Sequence, residues 1–319
     1  MEKKFTRLGI LLVSLLIASL LISCAATMLR VPVTKPAEIN LADIDKIAIG
    51  EITGNGSAIL QDQLTTALFQ SGRFELLDRQ HLDKIFAEHN LTYSGAIDEA
   101  TAAEIGKMLG SAALVFGRVS RYDYKEDMEY YDWEDRDGNS HRSYTRKGVA
   151  NVAATLQVTD LRTGKIVAIK NLSSSLEEKK HKTDASPEKI DSDALLRRTC
   201  AGIVRAFMRA IAPYTVYEKV TLYTDKKIPD LKRGVAMSKI GNWAKAIEIF
   251  KAATEQFPTS SKAFFNLGVA YECSGNFVDA KTALEKAYEI EPKNAYLKEI
   301  SRCDRLHQES LRLKEQLKK

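Results

Sequence analysis

Apolar residues are most concentrated near the start of the chain. Between Leu8 and Ile22 only small residues interrupt a run of Leu, Ile and Val, and a short positively charged segment precedes it. This pattern is typical of a signal peptide, and the run is shorter than the ~20 apolar residues that span a bilayer. It predicts a signal peptide over residues 1–23. Because the uncharged stretch continues to Leu29, an uncleaved anchor is the alternative.

The next segment, residues 24–44, shows little periodicity and contains Pro32 and Pro36, so it is predicted to be a linker. An isoleucine-rich run from Lys46 to Ile52 then predicts a buried strand. Glycines break this strand, and apolar residues at helical spacing predict a helix that ends at Gly72. Those apolar residues are Ile59, Leu60, Leu64, Ala67 and Leu68.

Strands and helices continue to alternate after this helix. The next predicted elements are a short strand at Phe74–Leu77, a helix that begins at Asp78, and a second helix at Glu99–Leu109 with Asp98 as its N-cap. They are followed by strands at Ala112–Val119, Val149–Val158 and Lys165–Ile169 and by a helix at Ala194–Ile211. This order predicts a mixed sheet with helices packed on it, an α+β or α/β sandwich, over residues 45–215.

A longer repeat appears in the last third of the chain, where the same residues recur 34 positions apart. The pairs are Gly234 and Gly268, Gly241 and Gly275, Asn242 and Asn276, Ala246 and Ala280, Ala253 and Ala287, and Pro258 and Pro292. This is the period of the tetratricopeptide repeat. It predicts an all-α tetratricopeptide-repeat domain over residues 222–319, with two repeats and a charged capping helix from Ala295.

The region before these repeats resembles a known family. The stretches SGRFELLDRQHLDKIFAEHN, AAEIGKMLGSAALVFGRV and VTDLRTGKIVA follow, in order, the pattern of the CsgG-like lipoprotein domain, and the resemblance covers residues 45–212. Relatives of this α/β domain include the curli secretion channel and a lipoprotein that activates peptidoglycan synthases. The resemblance implies an envelope protein, but fold alone does not decide which function applies.

Cys24 stands at the end of the apolar run. The string Leu21-Ile22-Ser23-Cys24 resembles the lipobox of bacterial lipoproteins. The resemblance implies that the signal is cut before Cys24, which then carries a diacylglycerol and an N-acyl lipid; several acyl chains anchor a protein stably to a membrane. Because Ala25 rather than Asp follows the cysteine, the resemblance also implies the outer membrane, facing the periplasm. A cysteine that stands there by chance is the alternative.

Composition and motifs narrow the classes of partner and cofactor. The formal net charge is +5, and lysines and glutamates are interleaved without a basic stripe, so no nucleic acid partner is predicted. The sequence has no metal-site spacing, nucleophile elbow or phosphate loop. We therefore expect a non-enzymatic protein with no cofactor besides the lipid on Cys24. Cys200, Cys273 and Cys303 are expected to be small buried residues, with a Cys273–Cys303 disulfide as the alternative.

The segment Tyr122–Gly148 is rich in acidic and aromatic residues. An Asp-Gly pair at 137–138 predicts a hairpin turn, so the segment is either a projecting β-ribbon that docks a partner or a solvated loop. It differs from a membrane strand because charges lie on both faces, including Glu126 and Asp132 on the face with the tyrosines. A second candidate, Ser173–Ala194, lacks apolar alternation. Both observations argue against the curli channel function.

The first helix of each repeat is expected to line a concave groove that receives a protein partner. On the family's pattern, the groove residues are Leu231, Val235, Ser238 and Lys239 in the first repeat and Lys262, Phe265, Val269 and Glu272 in the second. Phe265 is the one large aromatic residue among them, as expected of a binding hot spot. Lys239 and Lys262 are placed to receive an acidic segment or a terminal carboxylate.

Two alternatives to partner binding remain open for the repeats. Because repeat arrays usually have three or more units, the two repeats either cap the preceding domain or pair with a second copy in a homo-oligomer. The patterns together predict a scaffold or accessory factor in cell-envelope assembly or surface-protein export, held at the membrane by its lipid. A curli-type secretion channel and an activator of peptidoglycan synthesis are the alternative functions.

Overall fold

The computed structural model describes residues 26–77 and 110–317. The signal peptide, Cys24 and the helices predicted between Asp78 and Leu109 lie outside these residues. The described chain divides into two compact units. The first consists of residues 35–77, 110–214 and 312–317, and the second of residues 26–34 and 215–311.

The described residues form strands β1 to β7 and helices α1 to α7. The strands are β1 Ala26–Lys35, β2 Lys46–Thr53, β3 Glu75–Leu76, β4 Ala112–Glu134, β5 Ser140–Asp160, β6 Ile166–Thr183 and β7 Tyr214–Tyr223. The helices are α1 Ser57–Ser71, α2 Ser192–Ile211, α3 Pro229–Lys239, α4 Trp243–Gln256, α5 Ser261–Cys273, α6 Phe277–Ile290 and α7 Asn294–Gln316. None of the described helices is long and apolar enough to cross a membrane.

The first unit contains a mixed sheet with strand order β3-β2-β4-β5-β6. Strand β2 runs parallel to β3 and β4, whereas β5 runs antiparallel to both of its neighbours. Leu60, Leu64 and Leu68, which share one face of α1, are fully buried in the same apolar core as Phe207 of α2 and Leu156 of β5. The predicted mixed sheet with helices on it is confirmed.

Helix ends in this unit follow from local residues. Gly72 ends α1 in the left-handed conformation, with a φ of 60°, which glycine adopts without the strain of a Cβ. Asp191 begins α2, where its carboxylate accepts a hydrogen bond from the Ala194 amide at 2.9 Å.

Strands β4, β5 and β6 extend well beyond the positions predicted for them. They contain 23, 21 and 18 residues, whereas the sequence predicted strands that end at Val119, begin at Val149 and end at Ile169. The pairing of β2 with β4 stops at Arg118, and beyond that point the three strands continue together; we call this part the ribbon. Near the turn between β4 and β5 the strands are polar and are joined by ladder hydrogen bonds, so hydrophobic periodicity did not detect them there. Closer to the sheet, ribbon residues such as Val152 and Tyr124 still pack in the apolar core.

The second unit contains the repeats. Helix α3 packs on α4, and α5 packs on α6. The repeated glycines allow the close approach: a Cβ on Gly234 would lie 2.2 Å from the ring of Phe250, and one on Gly268 would lie 2.6 Å from the side chain of Leu284. The predicted all-α repeat region is confirmed.

The linker predicted at residues 24–44 requires a correction, because it contains β1, which pairs with β7 in a two-stranded sheet. Leu29, Val31 and Val33 alternate with more exposed residues, which is a strand pattern. Pro32 obscures this pattern, since proline is common in linkers. A two-stranded sheet has only edge strands, and an edge strand tolerates proline.

Candidate interaction surfaces

The residues predicted to line the partner groove are mostly buried. Leu231, Val235, Ser238, Phe265, Val269 and Glu272 are buried, Lys262 is half-buried and Lys239 is exposed. Phe265 is only 2% exposed. The prediction that Phe265 and Val269 form an open docking surface is therefore wrong, because residues of the same unit cover them.

Aromatic residues fill much of this groove. The Phe265 ring stacks on Tyr296 of α7, with centroids 4.7 Å apart and an interplanar angle of 27°. The ring of Tyr223, the last residue of β7, lies with its centroid 5.2 Å from that of Phe265. Phe265, predicted as a hot spot for a partner, thus packs against aromatic residues of its own chain.

Polar contacts hold the extended segment after β7 in the same groove. The Nδ2 of Asn266 donates to the carbonyl oxygen of Tyr223 at 2.7 Å, and its Oδ1 accepts from the Tyr223 amide at 2.8 Å. The Nζ of Lys262 donates to Asp225 at 2.7 Å, and this bond holds the pKa of Asp225 below its usual value. Lys262, predicted to receive an acidic group of a partner, contacts an acidic residue of its own chain instead. Sequence reasoning missed Tyr223 and Asp225 because no period or motif marks them.

A group of charged side chains is buried beside this segment. Arg302 of α7 forms ion pairs with Glu272, with Glu299 at 2.9 Å and with Glu218 at 3.5 Å. Burial raises the pKa of Glu272 to about 8 despite the nearby Arg302, because desolvation penalises the charged carboxylate. Glu272, predicted as a groove residue, therefore belongs to an internal charge network.

The cysteines within the described residues are free thiols. Cys200 and Cys303 are buried, as expected, and Cys273 is half-buried. The alternative Cys273–Cys303 disulfide is not formed. Among the described residues, no group of three or more His, Cys, Asp or Glu side chains is arranged to hold a metal ion.

The ribbon has an inner face, on which Tyr124 packs against the apolar core of the first unit. Charges on this face are paired internally. The Tyr124 hydroxyl donates to Glu126 at 2.6 Å, and Arg146 forms an ion pair with the same carboxylate. Further along, Arg142 binds Asp132 with an Nη2–Oδ2 distance of 2.8 Å.

The ribbon ends at the turn between β4 and β5. Gly138 has a φ of 82°, and its amide donates to the carbonyl oxygen of Asp135 at 3.2 Å, which confirms the predicted hairpin turn. The Nδ1 of His141 lies 2.6 Å from Asp184, and its Nε2 lies 3.2 Å from Asp135. Hydrogen bonds to these two carboxylates raise the pKa of His141. They tie the turn to the residue that follows β6.

The outer face of the ribbon carries a different set of side chains. Asp127, Glu129, Tyr131 and Trp133 occupy alternate positions of β4 and therefore project from the same face; we call them the outer row. All four are exposed, Tyr131 by 61% and Trp133 by 40%. Lys147 pairs with Asp127 in the β4–β5 register, but its ammonium group contacts Glu177 at 2.9 Å.

These features define a class of protein in which a mixed α/β domain is joined to short helical repeats. Residues 44–191 match the family model described as curli production assembly/transport component CsgG. Residues 230–260 and 261–294 each match a tetratricopeptide-repeat model. The chain thus contains a CsgG-like domain followed by two tetratricopeptide repeats, as the resemblance and the 34-residue period predicted.

Several solved structures resemble part of the chain at low sequence identity. Lipoprotein GNA1162 from Neisseria meningitidis is 14% identical with a TM-score of 0.30, over 51% of this chain and 97% of that one. The PelC dodecamer from Paraburkholderia phytofirmans is 13% identical with a TM-score of 0.27, over 59% and 99%. The LpoB C-terminal domain from Salmonella enterica is 14% identical with a TM-score of 0.24, over 41% and 82%. No curated protein matches the chain.

Proposed function

We propose that this protein is a lipid-anchored, non-enzymatic scaffold or accessory factor of the cell envelope, with a role in envelope assembly or surface-protein export. The observation that carries the proposal is the presence, in one chain, of a CsgG-like domain and two tetratricopeptide repeats. The first is a domain of an envelope assembly and transport family, and the second is a module whose helices bind or organise proteins.

The membrane attachment in this proposal depends on Cys24. A diacylglycerol and an N-acyl chain on Cys24 would hold the protein at the outer membrane, facing the periplasm, because two or more acyl chains bind a bilayer stably. The signal-like run and the lipobox-like string before Cys24 support this attachment.

The proposal places partner binding outside the repeat groove. Phe265, Val269 and Lys262 contact Tyr296, Tyr223 and other residues of their own unit, so the groove serves cohesion of that unit. The ribbon is the more accessible surface, since its outer row combines exposed acidic and aromatic side chains. Exposed aromatic residues of this kind are common in protein interfaces.

Cys24→Ala tests the anchor. The variant should lose labelling by radioactive palmitate, remain as a heavier unprocessed precursor and fail to fractionate with the outer membrane. Ser23→Ala is the matched control, because it keeps the thiol and another small residue before it. A Cys24→Ala protein that is cut at the same site and still fractionates with the outer membrane would contradict the anchor.

A tagged wild-type chain should retain a protein partner from solubilised envelopes, and a preparation that retains none would contradict the scaffold role.

A further inference from the structure

Along the ribbon, no other described strand pairs with the edge of β4 that faces away from β5; we call this the free edge. The pairing of β4 with β2 ends at the Thr53–Arg118 position, whereas its pairing with β5 continues to Glu134. From Val119 to Glu134, β5 is therefore its one neighbour among the described strands. An edge of this length presents a series of backbone N–H and C=O groups to which another extended segment can add.

The charge along this edge is strongly acidic. Between Arg121 and Glu134 the strand carries six acidic and two basic residues. The inner-face carboxylates of Glu126 and Asp132 are neutralised by Arg146 and Arg142. Asp127 and Glu129 form no salt bridge with a described residue, but they lie near Lys147, whose pKa is raised first by Glu177 and then by these two carboxylates.

Acidic side chains alone would only protect an edge against unwanted pairing. The outer row differs because Tyr131 and Trp133 continue the line of Asp127 and Glu129 at the same two-residue spacing. Exposed aromatic rings do not oppose association, because their faces attract the cationic groups of lysine and arginine. Asp127, Glu129 and Tyr131 are thus suited to the same kind of side chain, whereas the Trp133 ring already stacks on His141, with centroids 4.8 Å apart.

The spacing of the row matches that of a neighbouring strand. In a segment added to the β4 edge, alternate side chains would project on the outer face, each beside one member of the row. We infer that the free edge of β4 and the outer row bind an extended basic segment of a partner protein, with Lys or Arg at every second position. The inference rests on the proposed protein-binding role and assigns it a surface and a partner chemistry.

The test uses the full mature chain in detergent micelles and a labelled peptide of about ten residues in which Lys and Thr alternate. Fluorescence anisotropy should show binding that weakens as salt is added, since the contacts are ionic. Asp127→Asn with Glu129→Gln should weaken binding by about tenfold or more. The matched control is Glu248→Gln with Glu289→Gln, which removes two exposed carboxylates from the repeats and should change the affinity by less than about twofold.

Two further probes separate strand addition from simple charge attraction. The same peptide with N-methylated Thr residues keeps its lysines but loses backbone donors, so it should bind about tenfold more weakly or worse. A peptide of alternating Glu and Thr should not bind. Equal weakening by the ribbon and control variants, or unchanged binding of the N-methylated peptide, would overturn the inference. If the wild-type chain retains a partner from envelopes but does not bind the basic peptide, the inference is wrong and the proposed function is unaffected.

Discussion

The side-chain amide of Asn266 pairs with both backbone groups of Tyr223, donating to its carbonyl oxygen at 2.7 Å and accepting from its amide at 2.8 Å. An amide side chain reproduces in this way the pair of bonds that a neighbouring strand would make. Asn266 is fully buried, so water cannot replace it. The contact fixes the end of β7 on α5 and explains why the repeat groove is closed.

Asn266→Ala should therefore destabilise the protein by ~1–3 kcal/mol, because it removes both hydrogen bonds between the buried Asn266 side chain and the Tyr223 backbone. Urea denaturation followed by circular dichroism measures the loss. Asn171→Ala, at an exposed position of β6, is the control and should change the free energy of unfolding by less than ~0.5 kcal/mol. Equal stability of the Asn266→Ala variant and the wild type would mean that this pairing does not hold β7 in place.

Phe265→Ala should behave as a core substitution rather than as a loss of partner binding. The ring is 2% exposed and stacks on Tyr296, and deleting a buried aromatic side chain costs ~3–5 kcal/mol. The helical circular dichroism signal should melt at a clearly lower temperature. Phe69→Ala removes a ring that is 75% exposed and should leave the melting temperature nearly unchanged. A Phe265→Ala protein with wild-type stability but no partner binding would restore the open-groove interpretation.

The elements that the sequence predicted correctly are those in which apolar side chains repeat. Leu60, Leu64 and Leu68 mark α1 because one face of that helix must be buried. The β6 segment Ser173–Thr183 carries no such pattern, since β5 holds it through backbone bonds and Leu176 is the single apolar residue that it adds to the core. A strand that is stabilised by its neighbour rather than by a core leaves little trace in hydrophobic periodicity.

The same distinction applies to the interaction surfaces. The family's pattern gave Phe265 and Lys262 as groove residues, and in the structure their side chains contact Tyr296 and Asp225. The period could not show that Tyr223 and Asp225 occupy the groove, because that contact joins positions about forty residues apart that share no repeat. The outer row was recognisable as an acidic and aromatic segment, but its free edge depends on where β2 ends.

The pH dependence of stability should reflect the buried charge network. Burial raises the pKa of Glu272 from 4.5 to about 8, so the folded chain retains a proton that the unfolded chain releases. The contribution of Glu272 to the free energy of unfolding is therefore largest below pH 4.5 and is lost as the pH rises toward 8. Burial also raises the pKa of Glu299, which adds to the same slope, while Glu218, Arg302 and Arg305 are the other charged groups in the network.

Glu272→Gln should flatten this decline, because glutamine keeps the size of the side chain and carries no proton to lose. Chemical denaturation at a series of pH values between 5 and 9 would measure the slope for both proteins. Glu289→Gln, which changes a carboxylate that is 65% exposed, is the matched control and should retain the wild-type slope. An unchanged slope in Glu272→Gln would show that Glu272 ionises as freely in the folded state as in the unfolded state.

The ribbon should not insert into a lipid bilayer. Its outer face carries Asp127 and Glu129, and its inner face carries Glu126 and Arg146. Charged groups that face lipid near the bilayer centre cost up to ~2–4 kcal/mol each, and neither face offers a continuous apolar stretch to offset that cost. The purified chain should therefore produce no steady conductance in planar bilayers across a range of lipid compositions. Protein-free detergent at the same dilution is the control for leakage. Stable ring-shaped oligomers with a constant single-channel conductance would contradict this prediction and favour the secretion-channel function instead.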